Sequence, residues 1–434
     1  MSARAFRPAG TARLLSVAAL LLAAVATGAP QDAGGQGYTE QGTYAGTPEA
    51  FVPYRHSGPV YWHFYEAPPP FRGTGRLTAP PTGLRSIKIG LIAPLEDTAD
   101  TDIGRSMYQG VTLAIEEANR ADGFRGVLPY ALAVRNDSGI WGASSNTFVE
   151  LAWRDDVWAV IGSVDGNTTH TVLRVALKAE LPIVNTACTD PTVTETAIPW
   201  ILRCYPDDRQ YGYRLARAVF MERGHERVAV LRANDKYGRM GVKEFTDAAR
   251  RIGHPLALEV RYLPGEQVFE RQLERIRRAK VDAVVLWSNA QDGARILAAM
   301  HAAGMEHEVF GTERLVSAAF LAQAGAASEG VVAVCPMNVE ETNAAWDDFR
   351  ARYSQSFGDE PDAFAAYSYD GTRILLDAFE RAGLNRVRIR DELAALETYE
   401  GLAGPMTFDP THNNLGQIHV FEVQGGRFVH VAGP

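Results

Sequence analysis

Residues 87–335 alternate short apolar runs with amphipathic stretches, and the alternation is run through twice. The run "IKIGLIAPL" (87–95) leads through a polar loop into "GRSMYQGVTLAIEEANRADG", where Met107, Val111, Ala114, Ile115 and Ala118 recur at helical spacing. Gly123 stands where a helix stop is expected. "YALAVRND", "SNTFVELAWRDD", "VWAVIGSV", "TTHTVLRVALKAE" and "LPIVNTAC" continue the pattern. It restarts at Arg227 with "RVAVLRANDKYGRMGVKEFTDAARRIG" and runs on through "VDAVVLWSN" and "EVFGTERL". Apolar strand, loop, helix and strand in that order predict a parallel sheet covered by helices. Two passes of similar length predict an α/β chain of two doubly wound parallel-sheet lobes, with strand C-terminal ends and their loops facing a crevice. The chain is expected to cross between lobes near "ILRCYPDDRQYG" and again near "VVAVCPMN". Lobe 1 is predicted over 86–205 and 336–403, and lobe 2 over 206–335 and 404–434, ending in a hairpin that turns at Gly425-Gly426.

The chain ahead of this rhythm has another character. Arg4, Arg7 and Arg13 precede an apolar stretch over 14–25, and small residues follow up to Ala29. That order predicts a signal peptide over 1–29, whose apolar part falls short of the about 20 residues of a membrane span. Residues 30–85 are rich in Gly and Pro but carry Phe51, Tyr54, Tyr61, Trp62, Phe64, Tyr65 and Phe71. Disordered linkers are poor in aromatics, so this segment reads as an irregular arm docked on the protein's own surface or on a partner. His56 and His63 lack the Cys or acidic pattern that would make them metal ligands.

A formal charge of −9 argues against binding nucleic acid. Of Cys188, Cys204 and Cys335 one is left over in any pairing; buried free thiols and a Cys188–Cys204 bridge both remain open. No HExxH, GxSxG or GxxxxGK[ST] motif is present. Cys188 with His170 lacks a third, orienting residue. The expectation is a protein that is not an enzyme and carries neither cofactor nor metal. The loop in "IVNTACTDPTVTE" (183–195) is small and hydroxylated, which suits an anion cradle of exposed N–H groups and equally an ordinary turn.

Over residues 86–431 an ordered series of local patterns resembles the type I periplasmic binding proteins of the leucine/isoleucine/valine-binding class, the solute receptors of ABC importers. The series is "IKIGLIAPL", "GVTLAIEEANRADG", "AVIGS", "LPIVNTACTDPTVT", "VAVLRANDKYGRMG", "GEQVFERQLERIRRAKVDAVVL", "DEPDAFAAYSYDG" and "YEGLAGPMTFDP". The resemblance implies two lobes joined by a multi-strand hinge. It also implies that Ala187, through its backbone, and Thr189, through hydroxyl and N–H, hold a ligand carboxylate, as N–H groups at a helix N-terminus favour negative charge. A further contact falls at Gly166, with Asn167 and Thr168 next along, although the family's usual hydroxyl residue is missing there. Glu313 matches the ammonium-binding carboxylate; its other reading is an exposed ion pair with Arg314. Tyr237, Trp287 and Asn289 fall on the crevice wall, Trp287 fitting the core equally well. Ile103 stands where the family often has an aromatic. The acidic loop of Glu96, Asp97, Asp100 and Asp102 reads as a solvated loop, a subsite for a basic ligand group or, with less pattern behind it, a calcium loop. The resemblance implies a periplasmic, monomeric protein that captures an amino acid or related small carboxylate or amide by hinge closure. An ABC permease in the inner membrane would be its partner, and a soluble periplasmic ligand-sensing module is the alternative.

Overall fold

In a computed structural model of the chain, the structure describes residues 73–431, apart from 97, 197, 339, 341 and 342. The predicted signal peptide, the arm's aromatics, His56 and His63 lie outside the described residues, as does Asp97 of the acidic loop.

The first sheet has five parallel strands in the order β2-β1-β3-β4-β5. They are β1 (Ile87–Ala93), β2 (Tyr130–Asn136), β3 (Ala159–Gly162), β4 (Ile183–Asn185) and β5 (Ile201–Arg203). Ile89 of β1 lies opposite both Leu132 and Ala159. Its helices are α1 (Thr101–Arg120), α2 (Trp141–Val149) and α3 (Gly166–Ala179). Met107, Val111, Ala114 and Ile115 are the buried face of α1, and Gly123 closes the helix with φ +66° and its N–H on Ala118 O at 2.9 Å.

The chain then enters α4 (Asp208–Ala216) and the second sheet. There β6 (Val228–Ala233), β7 (Leu258–Tyr262), β8 (Ala283–Trp287), β9 (Glu308–Gly311) and β10 (Val332–Cys335) repeat the parallel order as β7-β6-β8-β9-β10. Helices α5 (Lys236–Arg251), α6 (Glu270–Ala279) and α7 (Ala290–Ala302) connect them. After β10 the chain returns through α8 (Ala344–Phe357), α9 (Ala363–Ala382) and α10 (Arg386–Ala394). A small hairpin follows, β11 (Thr398–Gly401) with β12 (Gly404–Thr407). Residues 408–418 then lead to β13 (His419–Gln424), antiparallel to β10, and β14 (Arg427–Val431), antiparallel to β13, which extend the second sheet. Gly425 and Gly426 form their turn with φ +58° and +74°, the left-handed pair that a two-residue hairpin requires.

The returning helix α9 lies against α1. At Gly110 a Cβ would stand 2.3 Å from the Ala365 carbonyl oxygen, so only glycine permits this approach. The described end of the arm is docked on the first lobe. Glu180, at the C-terminus of α3, accepts from the N–H groups of Thr74 (2.9 Å) and Gly75 (2.7 Å). Asn385 donates to the carbonyls of Gly75 and Thr78, each at 2.9 Å.

Replacing Gly110 by Ala should therefore destabilise the protein by about 1–3 kcal/mol through overpacking. Urea unfolding checks this; an unchanged midpoint would show that α1 and α9 are free to separate.

Candidate functional site

Doubly wound order brings the loops after β1, β3, β6 and β8 to the two switch points, where strand order reverses. Each loop ends in a short polar side chain at a helix N-terminus. Asp165 accepts from Asn167 N (2.8 Å) and Thr168 N (3.0 Å), and Asp235 from Gly238 N (2.7 Å). Asn289 accepts from Asp292 N (2.8 Å) and donates its amide to Asp292 Oδ2 (2.9 Å).

These caps bear on several expected ligand contacts. Asn289 spends both ends of its amide on its own helix. Thr168 donates its hydroxyl to Asp137 (2.9 Å), in a buried network with Ser144. Asn167 is exposed, and its N–H is already held by Asp165. Gly166 is buried and pressed against Asp190: a Cβ would stand 2.4 Å from the Asp190 carboxylate. The missing hydroxyl residue is thus matched by an acid in the neighbouring space.

The β4 loop is also less bare than its small residues suggested. Asn185 donates to the carbonyls of Gly162 (3.1 Å) and Ser163 (2.9 Å), tying the β3 and β4 loops together. Its oxygen takes the Cys188 N–H at 3.0 Å and leaves the Ala187 N–H weakly engaged at 3.4 Å. Ala187 and Thr189 are both buried, and the Thr189 carbonyl accepts from Asp208 N at 2.8 Å.

In the second lobe Glu313 is no exposed loop acid; it is 2% exposed. The Tyr237 hydroxyl reaches its two oxygens at 3.1 and 3.3 Å and Thr312 Oγ1 at 2.6 Å. Arg314 lies 3.6 Å over the Tyr237 ring centroid and 3.8 Å from Glu313. Burial pushes the Glu313 carboxyl from its ordinary 4.5 up to about 7, and the Arg314 charge only partly opposes this. The reason is that Arg314 is shared: its Nη1 lies 2.8 Å from Asp100 of the first lobe. Lys236, at the start of α5, likewise reaches across to Asp190, at 3.2 Å. Burial works to raise Asp190, but His170, Thr192 and Lys236 hold it below the usual carboxylate range. The lobes are thus drawn together by Arg314–Asp100 and Lys236–Asp190. Asp100 of the acidic loop is one half of an inter-lobe ion pair, while Asp102 pairs with Arg105 within α1.

Trp287 is fully buried against Phe245 and Tyr237, so it is a core residue. All three cysteines are buried free thiols. Burial pushes Cys188 up to about 12, and His170 bonds Thr192 rather than the thiol. Among the described residues no three His, Cys, Asp or Glu side chains converge as metal ligands, and no helix is long and apolar enough to cross a membrane. A cavity of about 370 Å³ lies between the segments that cross the lobes, lined by Met337, Trp346, Tyr367 and the β11–β12 turn. None of its lining side chains is a buried group lacking a hydrogen-bond partner.

Comparison with known proteins agrees with this architecture. The chain belongs to the periplasmic binding protein family, whose sequence profile matches residues 86–427. A Leu/Ile/Val-binding protein homolog of Brucella melitensis is 25% identical over 352 residues, covering 79% of this chain and 93% of its own. The leucine-, isoleucine-, valine-, threonine- and alanine-binding protein of Pseudomonas aeruginosa is 23% identical over 328 residues, 75% of this chain and 86% of its own. Among solved structures, the branched-chain amino acid transporter substrate-binding protein of Streptococcus pneumoniae, in complex with isoleucine, has a TM-score of 0.73 at 21% identity. It covers 80% of this chain and 100% of its own. A solute-binding protein of Rhodopseudomonas palustris in complex with 3,4-dihydroxybenzoic acid also scores 0.73, at 22% identity, with 80% and 97% covered. The relatives are ligand-binding proteins, and this chain is likewise no enzyme.

Sequence reasoning missed Asp100 and Lys236 as partners across the crevice. It also missed Asp190 and the burial of Asp208. "PDDRQ" read as a linker, and only the adjacent acids at a helix start hinted at a buried carboxyl.

The Glu313 carboxyl sets a pH dependence whose sign is definite. Its raised value means the folded state holds the proton more tightly, so its contribution is greatest below about pH 4.5 and is lost as pH rises through about 7. Across that window the loss is on the order of 3 kcal/mol. Glu313→Gln should flatten the fall in ligand-free stability between pH 5 and pH 8, measured by urea unfolding at each pH. An unchanged slope would place the proton elsewhere.

Proposed function

We propose that this chain is the substrate-binding component of an ABC importer and captures a small amino acid or close analogue in the crevice. The observation that carries the reading is Glu313: a buried carboxyl at the mouth of the second sheet, held by Tyr237, whose hydroxyl also meets Thr312. A group so placed offers charge-assisted hydrogen bonds to a ligand ammonium in a site screened from water. The buried β4 loop, with Ala187 and Thr189, lies in the first lobe as the counterpart for the ligand's other end, and Arg314 Nε is a buried donor without a hydrogen-bond partner. Gly166 contributes only backbone; Asn289 caps the helix that carries it, Thr168 is engaged with Asp137, and Asn167 is exposed.

Capture proceeds by hinge closure about the segments at 204–207, 336–338 and 408–418, with Arg314–Asp100 and Lys236–Asp190 forming as the lobes meet. The closed form is what a permease in the inner membrane recognises, and a signal peptide over 1–29 delivers the chain to the periplasm. The protein acts as a monomer. The comparisons lend no support to the sensing alternative.

Two measurements test this. Glu313→Ala should weaken an amino-acid ligand tenfold or more in calorimetric titration, since hydrogen bonds to charged groups contribute about 1.5–3 kcal/mol. An unaltered dissociation constant would remove Glu313 from the site. Asp100→Ala should enlarge the ligand-free radius of gyration in small-angle scattering, and saturating ligand should shrink it again. A radius that responds to neither change would sink the closure mechanism.

A further inference from the structure

The segment that crosses from the first sheet to the second carries buried polar groups that no protein atom satisfies. Neither carboxyl oxygen of Asp208 and neither hydroxyl of Tyr205 and Tyr211 makes a hydrogen bond of good geometry: the two hydroxyls approach only each other, Thr189 alone approaches Asp208, and all three residues are 0% exposed. Native proteins rarely leave such groups bare, and those that do occur call for an explanation.

Their surroundings fix them in place. Asp208 is the first residue of α4. Tyr205 stacks on Phe364 with centroids 5.1 Å apart, meets Tyr367 edge-on at 4.9 Å, and lies 6.3 Å from Tyr211. Rings packed this way hold their hydroxyls without further ordering. The Glu313 charge reaches all three: after burial itself, it is the next cause that drives Asp208 well above the usual carboxylate range, and it also acts on Tyr205 and Tyr211. Thr189 draws Asp208 partly back down, yet neither carboxyl oxygen attains a hydrogen bond. Glu313 is already served by Tyr237, whereas Asp208 is not.

Donor and acceptor chemistry narrows what fits. A carboxyl and two phenol hydroxyls each accept as well as donate, and with the Glu313 charge acting on all three the group that best serves them together is one that brings N–H donors and no negative charge. An aliphatic side chain would leave every one of these atoms unmatched, and a second carboxylate would meet like charge. Resting on the reading of the crevice as an amino-acid site, we propose that Asp208, Tyr205 and Tyr211 form a second nitrogen-binding subsite. The ligand then carries a terminal amine, guanidinium or amide besides the α-amino group met by Glu313.

The test is calorimetric titration of the full chain with L-lysine, L-ornithine, L-arginine and L-glutamine, against L-norleucine and L-leucine. Norleucine is lysine without its terminal amine. At least one of the first four should bind about 100-fold more tightly than norleucine, because a site built around buried polar groups rejects an analogue that leaves them unpaired. Asp208→Asn should weaken that ligand tenfold or more, and Tyr205→Phe severalfold, with norleucine unaffected by either. Norleucine or leucine binding within tenfold of every nitrogen-bearing ligand would overturn the subsite and leave the amino-acid reading standing. Failure of Glu313→Gln to weaken any amino acid, or silence from all six, would overturn the reading beneath it. Ligand-free thermal unfolding guards against a structural role. Asp208→Asn should leave the midpoint unchanged or raised, and a fall of several degrees would assign Asp208 to the fold and not to a ligand.

Discussion

A parallel sheet in doubly wound order sends every strand-to-helix loop to one edge, and in this chain that constraint is imposed twice. The orders β2-β1-β3-β4-β5 and β7-β6-β8-β9-β10 are the same pattern, so each lobe has one reversal point and one crowded edge of loops. Every residue discussed as a ligand contact follows from that geometry. Gly166, Thr189, Tyr237, Asn289 and Glu313 are far apart in sequence, and each stands in a loop or first helical turn beyond a strand's C-terminal end. The helix N-termini gathered there need partners for their free N–H groups. Asp165, Asp235 and Asn289 supply them from within, which decides that those amides are not the principal ligand donors.

The crevice is governed by how few positive groups serve its acids. Arg314 answers to Asp100 across the lobes, to the Tyr237 ring beneath it and, at longer range, to Glu313. One guanidinium so divided cannot fully compensate the desolvation of Glu313, and the carboxyl keeps a raised affinity for its proton. The same ion pair makes electrostatics a term in lobe closure: Arg314 belongs to the second lobe and Asp100 to the first. A site that draws its walls together through charges it also presents to the ligand couples capture to conformation without a separate device.

Much of the fold was legible because hydrophobic periodicity is a local signal. The apolar runs at 87–95 and 228–233, the helical spacing of Met107, Val111, Ala114 and Ile115, the Gly123 stop and the Gly425-Gly426 turn all appear where the pattern placed them. The candidate site was less legible. Glu313 and Tyr237 do come together, but Thr168 turns to Asp137, Asn289 caps α7, and Asn167 faces outward. Small hydroxylated and amide residues bind ligands and cap helices with the same atoms, so residue type cannot separate the two uses. Glu313 had two readings for a similar reason: a loop glutamate followed by arginine is usually exposed, and only its burial behind Tyr237 decides otherwise.

The sequence by itself determined the two-lobed parallel architecture and the family, because both rest on the order of local patterns along the chain. It also determined that carboxyl, hydroxyl and aromatic groups would meet at the loop edges. Only the tertiary structure decided which of them face one another. Asp208 is a helix-start acid in sequence and a bare buried carboxyl in the fold; Asp100 is one of several loop acids and the partner of Arg314. Burial and pairing are set by what arrives from the other lobe, and the distance between 100 and 314 is one that no local pattern spans.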